Sequence, residues 1–151
     1  AIQLAARRGA HVTAMTTTDK ANAIRDLGAK DTIGREDPFP KDAFDAVIDL
    51  VAGPRWPDML SALRRGGRYV TAGAIAGPIV ELDVRTLYLR DLTLFGSTFQ
   101  SDNILIDVID YIERGELRPV IAQEFKLKDL RKAQDSFLAK RHIGKIVIQN
   151  Q

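Results

Sequence analysis

Residues 44–53 read FDAVIDLVAG. The run is almost wholly apolar, with Asp45 and Asp49 its only charges. A short apolar run of this kind is the pattern of a strand covered on both faces, as in a parallel sheet. The next stretch, RWPDMLSALRRGG (residues 55–67), predicts a helix closed by Gly66 and Gly67. It is followed by RYVTAGAIAG (residues 68–77), a second apolar strand that runs into glycines. Strand, helix and strand with short connections make a crossover unit, whose two strands lie parallel.

Working outward, the same alternation continues. AIQLAARRGA (residues 1–10) has the periodicity of a helix, and HVTAM (11–15) that of a strand. TTTDKANAIRDLGA (16–29) predicts a Thr/Asp-capped helix ending at Gly28, and DTIG (31–34) a short strand. REDPFPKDA (35–43), with two prolines and several charges, is a loop. VELDVRTLYLRD (80–91) predicts a short strand and then a turn or two of helix, and LTLFGSTF (92–99) a strand. DNILIDVIDYIERGELRP (102–119) is an amphipathic helix with Ile104, Val108, Tyr111 and Ile112 on one face and Gly115 as its stop. KLKDLRKAQDSFLAKRHIG (126–144) is a last helix, and KIVIQ (145–149) a last strand. The expected fold is α/β, a doubly wound and mostly parallel sheet.

Composition narrows the function classes. The chain has 151 residues, 45% apolar and 28% charged, which suits one globular domain. Its net charge is only +2, and the basic pairs Arg7-Arg8, Arg64-Arg65 and Lys140-Arg141 fall near helix C-termini, where cations meet the negative end of the dipole. They form no stripe for nucleic acid. The absence of cysteine rules out disulfides and thiolate metal sites. No run reaches the ~20 apolar residues of a membrane span and no signal peptide is visible, so a cytoplasmic setting without membrane contact is expected.

In doubly wound sheets ligands bind at the carboxyl ends of the strands. The segments to watch are therefore residues 16–18, 34–35, 51–53, 73–77 and 96–98. No carboxylate stands at Met15, Thr16 or Thr17 to accept from a ribose 2′-hydroxyl. Three hydroxyls followed by Lys20 suit a phosphate instead. His11 and His142 lack metal-ligand spacing, and nothing pairs Asp45 and Asp49 as an acid and a base. No catalytic or metal-ligating residue is expected on this chain.

Taken in order, AIQLAARRGAHVTAM, KANAIRDLGAKDTI, FDAVIDLVAG, LRRGGRYVTAGAIAG, LTLFGSTF, YIERGELRPVI and HIGKIVI resemble the cofactor domain of the medium-chain dehydrogenase/reductase superfamily. They are most similar to its quinone oxidoreductase and enoyl reductase branch. The resemblance covers essentially the whole chain. It implies a partial Rossmann-type dinucleotide-binding domain over residues 1–151, lacking its first strand and glycine-rich turn. The end of the chain, from about residue 126, is then expected to return toward a substrate domain. It implies NADPH, in preference to NADH, as cofactor, with Lys20 and Arg35 near the 2′-phosphate beside Thr16 and Thr17. Val51, Ala52, Gly73, Ala74 and Ile75 would flank the nicotinamide and its ribose. Hydride would pass to a quinone, an enone or an enoyl thioester held by the other domain, which would also supply any zinc ligands or proton donor. The family's habit and the apolar character of residues 92–99, Leu92 at one end and Phe99 at the other, imply a homodimer through that sheet edge.

Two other readings stand beside this one. FDAVIDLVAG followed by LRRGGRYV is also the rhythm of S-adenosylmethionine-dependent methyltransferases, although those place an acidic residue after the second strand, where this chain has threonine. A non-catalytic, self-associating domain is the other.

Overall fold

A computed structural model describes residues 1–150. Its helices are α1 (Ile2–Arg7), α2 (Ala21–Asp26), α3 (Trp56–Ala62), α4 (Val84–Leu89), α5 (Asp102–Glu113) and α6 (Leu130–Leu138). Its strands are β1 (Thr13–Met15), β2 (Asp31–Ile33), β3 (Phe44–Asp49), β4 (Leu63–Thr71), β5 (Thr93–Gly96), β6 (Ile121–Lys126) and β7 (Lys145–Gln149). The strands form three sheets, β1-β2, β3-β4-β5 and β6-β7, and every pairing is parallel. The α/β class and the parallel pairing read from the sequence are what the chain adopts. β1 pairs only with β2, and β3 only with β4, so each has one open edge among the described residues.

The chain divides into two compact units, one spanning residues 35–100 and the other residues 2–34 together with 101–150. In the first, α3 crosses from β3 to β4 and covers one face of the sheet. Trp56, Met59, Leu60, Leu63, Tyr69 and Leu92 make its buried cluster, with Val47 and Leu94 packed against it. Register explains which strand residues take part. Val47, Tyr69 and Leu94 are cross-strand partners and share the covered face, whereas Ile48, Val70 and Phe95 share the other. The expectation that residues 44–53 are covered on both faces is therefore corrected. Ile48 is 54% exposed, because within this unit the helix packs on one side only.

Two boundaries also differ from the sequence reading. The helix expected over 55–67 ends at Ala62, and Leu63 already belongs to β4. The Arg90 guanidinium takes the carbonyls of Leu60 (2.9 Å), Ser61 (3.4 Å) and Leu63. These are the groups a helix end leaves unpaired, and the arginine satisfies them before the glycines are reached. Arg64 to Gly67 instead form a bulge, the register jumping from Phe44–Leu63 to Ala46–Arg68. No strand forms over residues 80–83, where Asp83 accepts from the Arg85 N–H at 2.9 Å and caps α4.

The second unit holds the β1-β2 and β6-β7 pairs. β6 had no counterpart in the sequence reading. α1 is tied down by Gln3, which exchanges two 2.8 Å hydrogen bonds with the Arg118 backbone, and by Arg7, which bonds Glu116 and lies 3.8 Å above the Tyr111 ring. The Arg7 guanidinium holds the Glu116 carboxyl below the usual carboxylate range. No helix among the described residues is long and apolar enough to cross a membrane.

Candidate functional site

β3 ends in Asp49, and Asp49 organises the turn at residues 50–53. Its carboxylate is only 3% exposed. Burying a carboxylate is costly unless donors surround it. Here Oδ1 accepts from the N–H of Val51 (2.8 Å) and of Ala52 (3.0 Å), and Oδ2 accepts from Ala52 N–H (3.1 Å) and from the Tyr69 hydroxyl. Tyr69 stands diagonally across on β4, with its ring edge-on to Trp56 at 6.0 Å. Burial, and then the bond to Asp49, push the Tyr69 phenol above its ordinary range. The hydroxyl stays protonated at neutral pH and donates.

The turn held by this carboxylate is unusual. Ala52 has φ 52° and ψ −142°, a conformation that a Cβ disfavours by about 1–3 kcal/mol. Two N–H bonds to one buried carboxylate offset that strain. The end of β4 is laced to the same turn. Ala72 N–H donates to Asp49 O and Ala76 N–H to Val51 O, each at 2.9 Å. The approach is so close that a Cβ on Gly73 would lie 2.6 Å from the Leu50 carbonyl oxygen, so only glycine fits.

The structure thus brings Val51, Ala52, Gly73, Ala74 and Ile75 together at the carboxyl edge of one sheet. Ala52 is buried and Ile75 is 86% exposed. The N–H groups of Gly73, Ala74 and Ile75 make no backbone bond among the described residues. A shelf of closely packed backbone, an exposed isoleucine and free amides fits a flat ring that carries a polar substituent. Arg35 belongs to the same unit. Arg55, just past Gly53, donates to the carbonyls of Arg35 and Asp37 (2.7 Å to the latter) and stacks on Phe39 at 4.1 Å. That ties the Arg35 backbone down, while the Arg35 guanidinium has no hydrogen bond or ion pair among the described residues.

Thr16, Thr17 and Lys20 lie in the other unit. Thr16 N–H donates to Ile33 O at 2.9 Å and prolongs the β1-β2 ladder. Thr17 is the N-cap of a single 3₁₀ turn, Thr18–Lys20. Its Oγ1 is shielded from solvent and makes no well-formed hydrogen bond among the described residues. It still lies close enough to be the main influence holding the Asp19 carboxyl below its usual range. Lys20 is partly committed: Nζ donates to Lys140 O (2.9 Å) and His142 O (3.3 Å). One of its three N–H donors remains.

Asp49 and Tyr69 are what the sequence reading missed. The signal that could have found them is an aspartate two and three residues before the acceptor-seeking amides of a turn, the spacing of an Asx motif. No group of three or more His, Asp or Glu residues able to hold an ion exists among the described residues, and there is no cysteine.

Residues 12–148 match the family of zinc-binding dehydrogenases. Acryloyl-coenzyme A reductase of Metallosphaera sedula is 26% identical over 98% of this chain and 46% of its own length. A protein of Sinorhizobium meliloti 1021, a candidate alcohol dehydrogenase of solved structure, is 40% identical with TM-score 0.90, over 97% of this chain and 43% of its own. An NAD-dependent alcohol dehydrogenase superposes with TM-score 0.88 at 28% identity, over 99% of this chain and 47% of its own. Neighbours of lower identity that share the fold hold NAD in one case and NADP in another. The chain spans about half the length of the curated relatives it matches. With its parallel α/β fold and its shelf at the carboxyl ends of β3 and β4, the chain belongs to the zinc-binding dehydrogenase family and is similar to the C-terminal, Rossmann-type portion of these oxidoreductases.

Proposed function

We propose that this chain is the cofactor-binding portion of an NADPH-dependent oxidoreductase that transfers hydride to a quinone, an enone or an enoyl thioester. The observation that carries the reading is the shelf formed by residues 49–53 and 71–77, where a nicotinamide ring would lie against Val51, Ala52 and Ile75. The free amides of Gly73, Ala74 and Ile75 would meet its carboxamide or ribose. Once bound, the cofactor supplies the hydride, and the protein's part is to position it and exclude water. The choice of NADPH rests on the end of β1. It has Thr16 and Thr17 where NAD-binding folds place a carboxylate, with Lys20 nearby, and the Arg35 guanidinium is free for a phosphate. The NAD-dependent relative is the reason this choice needs a direct test. Substrate, proton donor and any zinc would belong to a substrate domain, toward which residues 126–151 would return.

Fluorescence titration of the full-length protein with NADPH and NADH provides that test. Lys20→Ala and Arg35→Ala should each weaken NADPH binding by about 1.5–3 kcal/mol and leave NADH binding nearly unchanged. Equal losses for both cofactors would overturn the 2′-phosphate assignment. The β5 edge is the proposed dimer contact. Among the described residues β5 is paired only with β4, and its Phe95 is half exposed. Light scattering on dilution checks this, and a monomer at micromolar concentration contradicts it.

A further inference from the structure

We infer that Asp49 is a positioning residue whose buried negative charge, directly beneath the turn at residues 50–53, favours the oxidised over the reduced nicotinamide on the shelf. The inference rests on the proposed function and deepens it. Four observations carry it. The carboxylate is buried, and its hydrogen-bond donors are all neutral: two backbone N–H groups and one hydroxyl. No cation pairs with it among the described residues. Its donors include both amides of the turn that the ring would cover. The same two bonds hold Ala52 at φ 52°, so the turn cannot relax away from the carboxylate without losing them.

The consequence is electrostatic. A carboxylate bonded to neutral donors is held in place but keeps its full unit of charge. Reduced nicotinamide is neutral, and giving a hydride to the acceptor leaves the ring with a unit positive charge. A fixed negative charge in a poorly polarisable site stabilises that product, and by the same reasoning part of the transition state leading to it. It also needs no reorganisation, because the Tyr69 hydroxyl and the two amides already fix its position. A carboxylate that served the turn alone could be replaced by a neutral acceptor of the same shape without redox consequence.

Asp49→Asn is that replacement, since an amide oxygen still accepts from Val51 and Ala52. In the full-length protein, dissociation constants for NADP⁺ and NADPH are measured for the wild type, Asp49→Asn and Tyr69→Phe. Asp49→Asn should weaken NADP⁺ about tenfold more than NADPH and lower kcat with little change in the KM for NADPH. Tyr69→Phe removes the dipole that partly offsets the charge, so the ratio should move about twofold the other way, toward tighter NADP⁺. Equal loss for both cofactor forms in Asp49→Asn makes the residue merely structural and overturns the inference. Should Asp49→Asn not fold, an unchanged or reversed ratio in Tyr69→Phe overturns it, and the shift toward NADP⁺ supports it. A wild type that binds neither dinucleotide overturns the proposed function itself, a result distinct from binding with an unmoved ratio.

Discussion

The two units solve the problem of holding a loop still in different ways. In residues 35–100 a packed core does it. Ala52, Trp56, Met59, Leu60, Ala62, Leu63, Tyr69 and Leu92 are buried, and the shelf grows directly from that cluster through Tyr69 and Asp49. In the other unit the buried apolar residues are Ala29, Leu117 and Ala133. Order there comes from polar ties on the surface: Lys20 to the carbonyls of Lys140 and His142, Gln3 to Arg118, and Arg7 to Glu116. Ties of this kind contribute little each, because solvent and salt screen them. The difference assigns rigidity to the residues proposed to orient a ring, and to the Arg35 backbone beside them, and adaptability to Thr16, Thr17 and Lys20, which are proposed to choose between a 2′-hydroxyl and a 2′-phosphate.

The largest effect expected from this contrast is on stability. Leu60→Ala opens a cavity in the packed unit and should cost about 2–5 kcal/mol, read as a lower urea midpoint at unchanged slope. Ile109→Ala, on the exposed apolar face of α5, should cost less than about 1 kcal/mol. An equal loss would break the comparison, since it would mean that α5 is covered by something outside the described residues.

A smaller effect comes from Tyr69. Its phenol holds its proton to higher pH in the folded chain than in the unfolded one. The unfolded chain therefore releases that proton first as pH rises past the ordinary tyrosine value near about 10. The stability tied to this group is fully present below that pH and declines above it. Tyr69→Phe should be less stable than the wild type at neutral pH but lose less of its stability between neutral pH and alkali. Parallel alkaline curves would show that the hydroxyl is not held as described.

Much of this was legible in the residues, and the exceptions have physical causes. Apolar runs and glycine stops located β3, β4, β5 and β7, because short runs rich in apolar and β-branched residues leave a strong local pattern even where one face stays open. β6 was invisible: IAQEFK mixes polar and apolar residues without alternation, and it pairs only because β7 lies beside it. The end of α3 was misplaced because a distant arginine, Arg90, caps it, and no local pattern encodes that. Val51, Ala52 and Gly73 to Ile75 were named by resemblance, and the structure does gather them. The means of gathering them was not foreseen, since a lone aspartate closing an apolar run shows its role only once Tyr69 stands beside it. Lys20 was foreseen as a phosphate ligand, yet two of its donors go to carbonyls 120 and 122 residues away.

The central claim is that the carboxyl edge of β3 and β4 faces the cofactor. Amide hydrogen exchange in the full-length protein, with and without saturating NADPH, tests it most directly. The amides of Val51 and Ala52 already donate to Asp49 and should gain little protection. Those of Gly73, Ala74 and Ile75, unbonded to the described backbone, should slow the most. Saturating NADPH binding that leaves residues 73–75 exchanging at their free rate would contradict the account.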